Sequence, residues 1–347
     1  MKKTMSLALG AFALVAMPMS AFADNHMEPD ATPAESDLES AAKTVSGQGE
    51  DLGYNAFTPA KHDAIASDQI GTIDLKISPF FRYEDPGDLD DDAGDVETTR
   101  IGAVVRLDYY DEDRNQWSFR YGLEASDYDV SSAPSGSIAE DALDDALIYS
   151  ITFSHMRTVA DQWSAFAGFG YQWAGTDGVS FSDGRNFRGG GGAIYQMDED
   201  LTLGLGILIS DDFDDDAFIL PLPIVTWHID DQMRLRVRGT RADLEYDLEH
   251  DLTAHAILAY EFRAYRLEDE VEGTDAEDGV VNDSHVLLGV GLDWTPRDAD
   301  WLTLSGEVGA ILGQKFEIEK KSGSTIETNR MDDSAGFFAG LALEMNF

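Results

Sequence analysis

The sequence predicts an all-β, up-and-down antiparallel transmembrane barrel of about 14 strands, with 12 or 16 as the alternative counts. Three observations carry this. Apolar and polar residues alternate with period two over most of residues 70–347. After Ala23 no stretch suits a membrane helix: the most apolar window, 218–227, is short and holds Pro221 and Pro223. The links between alternating segments switch between short and long along the chain. In lipid every backbone polar group needs an internal partner, so only helices and closed barrels span a membrane.

Composition narrows the function. The chain has 347 residues, with 24 Lys+Arg against 67 Asp+Glu and a net charge of −43. Such a surface repels a phosphate backbone, so no nucleic-acid partner is expected. Cysteine is absent, which removes disulfides and thiolate metal sites. With 18 Phe, 12 Tyr and 6 Trp the chain is too apolar and aromatic for a disordered protein.

Residues 1–23 have the form of a secretory signal peptide. Lys2 and Lys3 give the positive start, 7–17 the apolar centre, and Ala21 and Ala23 the small-x-small cleavage pattern. Residues 24–69 are rich in Ala, Glu, Asp, Pro and Ser, and form an expected flexible, acidic periplasmic segment. The barrel is expected over 70–347.

Its strands follow in order. Ile73, Leu75, Ile77, Phe81 and Tyr83 alternate with polar residues, as do the segments 101–109, 117–125 and 147–153. Further segments run 163–173, 187–197, 201–209, 219–229, 233–239, 243–248, 252–266, 285–295, 302–315 and 335–347. Many reach the ~9–11 residues a tilted strand needs to cross a bilayer. Short links at 111–114, 159–161, 198–200, 230–231, 249–251 and 296–300 become turns on the periplasmic side. Long links at 84–97, 130–141, 175–185, 211–217, 267–283 and 316–333 become extracellular loops, with 240–242 a short exception on that side. Trp117, Trp163, Trp227, Trp294 and Trp301 all neighbour the short turns, as a periplasmic aromatic girdle would.

Leu343, Met345 and Phe347 share one face of a terminal strand that ends on an aromatic residue. This resembles the assembly signal of bacterial outer-membrane β-barrels, and implies the barrel-assembly machinery as a partner and the outer membrane as the location. The segments 222–227 and 244–248 resemble an uncharacterised porin-like family, with a looser likeness to barrels that scaffold murein enzymes. Neither likeness carries a functional residue across.

With the apolar face toward lipid, the pore-lining candidates are Lys76, Arg82, Arg100, Arg106, Arg120, Arg234, Arg236 and Arg238 against Glu124, Glu261, Asp293, Glu307 and Glu344. Opposed charged arcs across a wet lumen orient polar solutes. The alternative is that the charges pair and only hold the barrel together. Closure sets Glu344 beside Lys76. Acidic runs at 85–92, 211–216 and 268–278 suit loosely bound divalent cations and lipopolysaccharide, but lack the residues of a calcium loop, so no specific metal and no cofactor are expected. His255 and His285 could face inward near Ser284, yet no spacing calls for a triad, so no enzyme is expected. The expected function is a passive or weakly selective channel for small polar solutes or ions. The alternative is a non-conducting scaffold barrel that binds a periplasmic or surface partner.

Overall fold

The computed structural model describes residues 71–347, apart from 86–94, 113–114, 132–144, 211–212, 214–217, 250, 268–278, 321–324 and 331–334. The expected signal peptide with Ala21 and Ala23, the segment 24–69, and nearly all of the three acidic runs lie outside the described residues.

The strands are β1 (Ile73–Asp85), β2 (Asp95–Tyr110), β3 (Gln116–Ser131), β4 (Asp145–Ala160), β5 (Trp163–Thr176), β6 (Arg185–Gln196), β7 (Leu201–Ser210), β8 (Phe218–His228), β9 (Met233–Arg238), β10 (Arg241–Glu249), β11 (Leu252–Arg266), β12 (Val280–Trp294), β13 (Leu302–Glu319), β14 (Thr325–Arg330) and β15 (Gly336–Asn346). Each of β1–β13 pairs antiparallel with its successor, β13 also pairs with β15, and β15 returns to β1. Fourteen strands therefore close the barrel. β14 is an addition: the expected loop 316–333 is partly a hairpin in which Lys315–Glu319 pairs with β14.

Alternation decides which face meets lipid. Ile101, Phe153, Phe169, Leu205, Ile219, Val290 and Leu341 point outward, and Phe169 and Leu341 are 65% and 66% exposed. An apolar surface of this extent around a whole barrel is unstable in water and stable in hydrocarbon. Among the described residues no helix is long and apolar enough to cross a membrane. Pro79 sits inside β1, where the ladder to β15 skips Ser78 and Pro79, the latter lacking an N–H to donate.

The wall is incomplete at the end that carries the long loops. Gly239, at φ +57°, makes the two-residue turn between β9 and β10, a left-handed conformation such hairpins require. This hairpin stops short. β8 pairs with β9 only over Ile224–His228, and β10 reaches β11 only up to Ala259. Beyond it, β8 and β11 share no neighbour among the described strands. Pro221 and Pro223 lie on this stretch. Gly239 N–H donates to the Pro223 carbonyl at 2.9 Å, so residues 221 and 223 turn their backbone groups toward the gap. Proline there removes donors that an edge strand would otherwise leave unpaired.

A second break lies between β13 and β15, whose pairing ends at Ile311 with Gly336. Between the two breaks, residues 260–266, 280–286 and 312–319, edged by β14, form a leaf joined to the wall at its base. The leaf leans into the lumen. Nearly every residue of 261–266 and 280–287 is buried, on both faces. On one face Tyr265, Leu267, Val281, Phe316 and Ile318 pack with Val96, Tyr128, Ala146, Ile148 and Ala174 of β2–β5. On the other, Phe262, Ala264 and Val280 pack with Leu208 and Leu222 of β7 and β8. The tip crosses to β5, where Arg266 pairs with Gly175 in parallel register.

The bend has a local cause. Ser284 pairs with Lys315 but Val286 pairs with Leu312, so Gly313 and Gln314 together oppose His285. Gly313 has φ +59°. This is a bulge with glycine in the left-handed position, a device that kinks and twists a strand. A Cβ at 313 would touch nothing within 4 Å, so backbone strain alone opposes substitution. Gly313→Ala is expected to lower stability by about 1–2 kcal/mol. Gly313→Asn should cost less, because asparagine tolerates this region. Urea midpoints of the two variants check the order, and equal midpoints would count against the bulge as hinge.

Candidate functional site

The lumen holds two groups of charged side chains at different depths. The first lies in the half carrying the leaf. Arg82 on β1 donates from Nη1 to Glu261 on β11 at 2.8 and 2.9 Å. Arg100 on β2 donates to Glu84 at 2.9 Å and to Asp283 of β12 at 2.7 Å, and also to the hydroxyls of Ser126 and Tyr128, both at 3.0 Å. Arg263 of β11 donates to Glu124 of β3 at 2.8 Å and to Glu261 at 2.9 Å. Tyr128 and Gln314 each donate to Asp283 at 3.1 Å. Arg82–Glu261, Arg100–Asp283, Arg263–Glu124 and Tyr128–Asp283 join strands that are not neighbours in the wall, so these pairs cross the lumen and staple the leaf to β1–β3.

The charges are dry. Arg100, Arg263, Glu84, Glu124 and Asp283 have fully buried side chains. Burying ions costs several kcal/mol each, which only close pairing offsets. Three guanidiniums meet four carboxylates here, with His285 between Asp283 and Glu261. By ligand type Glu84, Glu261 and His285, within 4.8 Å of one another, could hold a cation. Arg82, Arg100 and Arg263 already bring positive charge to these carboxylates, so the donor set fits a guanidinium network better than a metal. Glu84 Oε1, Glu124 Oε2, Arg263 Nη2 and His285 Nε2 are buried without hydrogen-bond partners.

The second group lies nearer the short turns, and it is wetter. Lys76 pairs with Glu344 across the β1–β15 seam, as closure requires. Arg106 clasps Asp108 at 2.6 and 3.0 Å. Arg234 and Arg236 of β9 both pair with Glu245 of β10. Arg241 bridges Asp243 at 2.8 Å and Glu307 at 3.2 Å. His255 lies between Asp293, at 3.1 Å, and Glu307, at 3.3 Å.

The expectation of opposed arcs facing across water therefore changes. Arg82, Arg100, Glu124 and Glu261 point inward, but into a packed network that leaves no open water between them. Arg120 is inward and buried too. Lys76, Arg234, Arg236, Arg238, Asp293 and Glu344 retain exposure toward the turn end, and Glu307 is joined to His255 and Arg241. Sequence reasoning missed Glu84, Arg241, Glu245, Arg263 and Asp283. Parity was the available signal: Arg263 shares a face with Glu261, and Glu245 faces Arg234 in the ladder. Of the five turn-side tryptophans, Trp117, Trp163, Trp294 and Trp301 are exposed at strand ends and Trp227 is half-buried. At the seam Leu75 and Phe347 exchange backbone hydrogen bonds at 2.8 and 3.0 Å, the Phe347 ring stacks on Trp301 at 6.0 Å, and Leu343 and Met345 pair with Leu304 and Leu302.

Closed wall, lipid-facing belt and charged lumen define a transmembrane β-barrel protein. The chain belongs to the family described as "Domain of unknown function (DUF6268)", whose model matches residues 66–346. Among solved structures it is similar to a Pseudomonas aeruginosa FadL homologue, at 12% identity and TM-score 0.47, over 87% of this chain and 97% of that one. It is also similar to the COG4313 outer membrane channel from Pseudomonas putida F1, at 10% identity and TM-score 0.43, over 83% and 99%. A third is the P. putida toluene transporter TodX, at 9% identity and TM-score 0.41, over 87% and 99%. No curated protein matches the chain.

Proposed function

We propose that the protein is an outer-membrane channel for small polar solutes or ions, held shut in this state by its own leaf. The observation that carries this is how the lumen is filled. About 8 strands already make a barrel that side chains can fill, whereas 16–18 leave a channel. Here 14 strands close the wall, and the loop half is full because part of the wall has folded inward. That part is bound by side-chain contacts and one backbone bridge at its tip. An element so held can swing back and leave an aqueous path.

A second reading has its own support. The ion pairs of the loop half are short and dry, as in a barrel whose charges serve only to hold it together. On that reading the protein is a scaffold without conduction. In both readings the outward belt contacts outer-membrane lipid, the short turns face the periplasm, and the tryptophans at the turn rim settle at the headgroup level.

Single-channel recording on the refolded protein in a planar bilayer separates the two. A closed-by-default channel should give a quiet baseline with discrete steps whose size follows salt concentration. Lasting silence under applied voltage, from protein shown to be folded by its heat-dependent gel mobility, would favour the scaffold.

A further inference from the structure

The geometry points to a binding site for multivalent oxyanions, carboxylate or phosphate, on β9 and β10 in the turn half of the lumen. This rests on the lumen being reachable from the turn end and names the solute class that a channel there would favour. Arg234, Arg236 and Arg238 occupy alternate positions of β9, so all three side chains share the inward face. Alternate residues on a strand repeat every ~6.8 Å, which makes a ladder of guanidiniums along the wall. Arg241 continues it on β10, directly paired with Arg238.

The layering of charge gives the ladder its sign. Glu245, the carboxylate shared by Arg234 and Arg236, is 5% exposed, whereas those two side chains are 39% and 33% exposed. The negative group lies beneath and the positive groups face the lumen. One carboxylate cannot satisfy two guanidiniums with five donors each, and Arg236 Nε is buried with no hydrogen-bond partner. Arg241 divides its donors between Asp243 and Glu307. The donors of Arg234 and Arg236 that Glu245 leaves unused face the lumen, where carboxylate and phosphate oxygens would accept paired, charge-assisted hydrogen bonds. A ladder favours an anion with several charges over chloride.

The distribution of charge across the chain supports the same assignment. The protein carries −43 overall, which repels anions from its surface. Inside, the described strands point Lys76, Arg82, Arg100, Arg106, Arg120 and Arg263 inward as well as the ladder. Those of the loop half are consumed by the dry network, and Arg106 by Asp108. Among the described residues, the ladder combines adjacent inward positions with exposure.

The test is calorimetric titration of the refolded, full-length protein in detergent with tripolyphosphate and citrate as probes. Both are expected to bind in a salt-sensitive way, and the triple variant Arg234→Gln, Arg236→Gln, Arg238→Gln should weaken binding by at least about tenfold. Heat with phosphate-bearing but not carboxylate-bearing anions would identify phosphate as the source, and the reverse would identify carboxylate. No binding to the wild-type protein, or equal binding by the variant, would overturn the site. If the triple variant fails to fold, Arg234→Gln alone, at the more exposed side chain of the Glu245 pair, makes the same comparison. Binding in detergent needs no conduction. A silent barrel that binds these anions would sink the channel reading and keep the site, while a conducting, cation-selective barrel without binding would do the opposite.

Discussion

Replacing Arg100 by methionine should destabilise the barrel by about 3–5 kcal/mol, the usual consequence of stripping one partner from a buried ion pair. Glu84 and Asp283 would remain, fully buried and without their guanidinium. Ser126 and Tyr128 would lose their donor as well. Lys76→Met is the matched control. Its pair with Glu344 is more than a third exposed, so removing it should cost no more than about 1 kcal/mol. Adding Asp283→Asn to Arg100→Met should recover part of the loss, because it removes one stranded charge. Urea unfolding in lipid vesicles, followed by tryptophan fluorescence, reads all three. If Arg100→Met and Lys76→Met shift the midpoint equally, water reaches the network and the loop half is not dry.

The dry network also explains how much of the molecule the sequence disclosed. The strand positions follow from alternation, since a wall facing lipid on one side and charge on the other imposes period two on Ile101–Tyr109 as on Leu201–Ile209. The rhythm of the links gave the closing order, and with it the Lys76–Glu344 contact. The leaf was illegible for a physical reason. Along Glu261, Phe262, Arg263, Ala264 and Tyr265 the polarity alternates as in any lipid-facing strand. Phe262 and Ala264 nevertheless rest on Leu208 and Leu222 rather than on lipid. An apolar face records that something apolar covers it, not whether the cover is acyl chain or protein. Glu84 and Asp283 read as loop residues because the apolar half of the pattern stops near them. Their strands continue with inward carboxylates that arginine makes tolerable: Arg100 pairs with Glu84 from the neighbouring strand and with Asp283 across the lumen. Weak markers did exist: Gly313, a lone glycine inside an alternating strand, and Pro221 and Pro223, which fit a strand only along an edge.

Arg266→Ala should shift the leaf toward its outward position. Its guanidinium donates to the backbone carbonyls of Phe213 at 3.0 Å and Asp183 at 3.3 Å, and lies 5.4 Å from the Phe213 ring. These contacts fasten the tip to the loops after β5 and β7, and none of them depends on the network beneath. Hydrogen bonds to a charged donor contribute about 1.5–3 kcal/mol each at most, so losing the set while the freed carbonyls regain water should amount to about 2 kcal/mol. That corresponds to a roughly 30-fold rise in the population of the open leaf. Two readouts are needed together. Hydrogen exchange at 260–266 and 280–286 reports whether the leaf has loosened, and single-channel recording reports whether loosening makes a path. Faster exchange with more frequent steps is the expected result. Faster exchange with an unchanged, silent baseline would mean that the leaf moves without opening the lumen, because the Arg82–Glu261 and Arg263–Glu124 pairs at its base still bar the way. The barrel would then be a scaffold, and its dry charges structural.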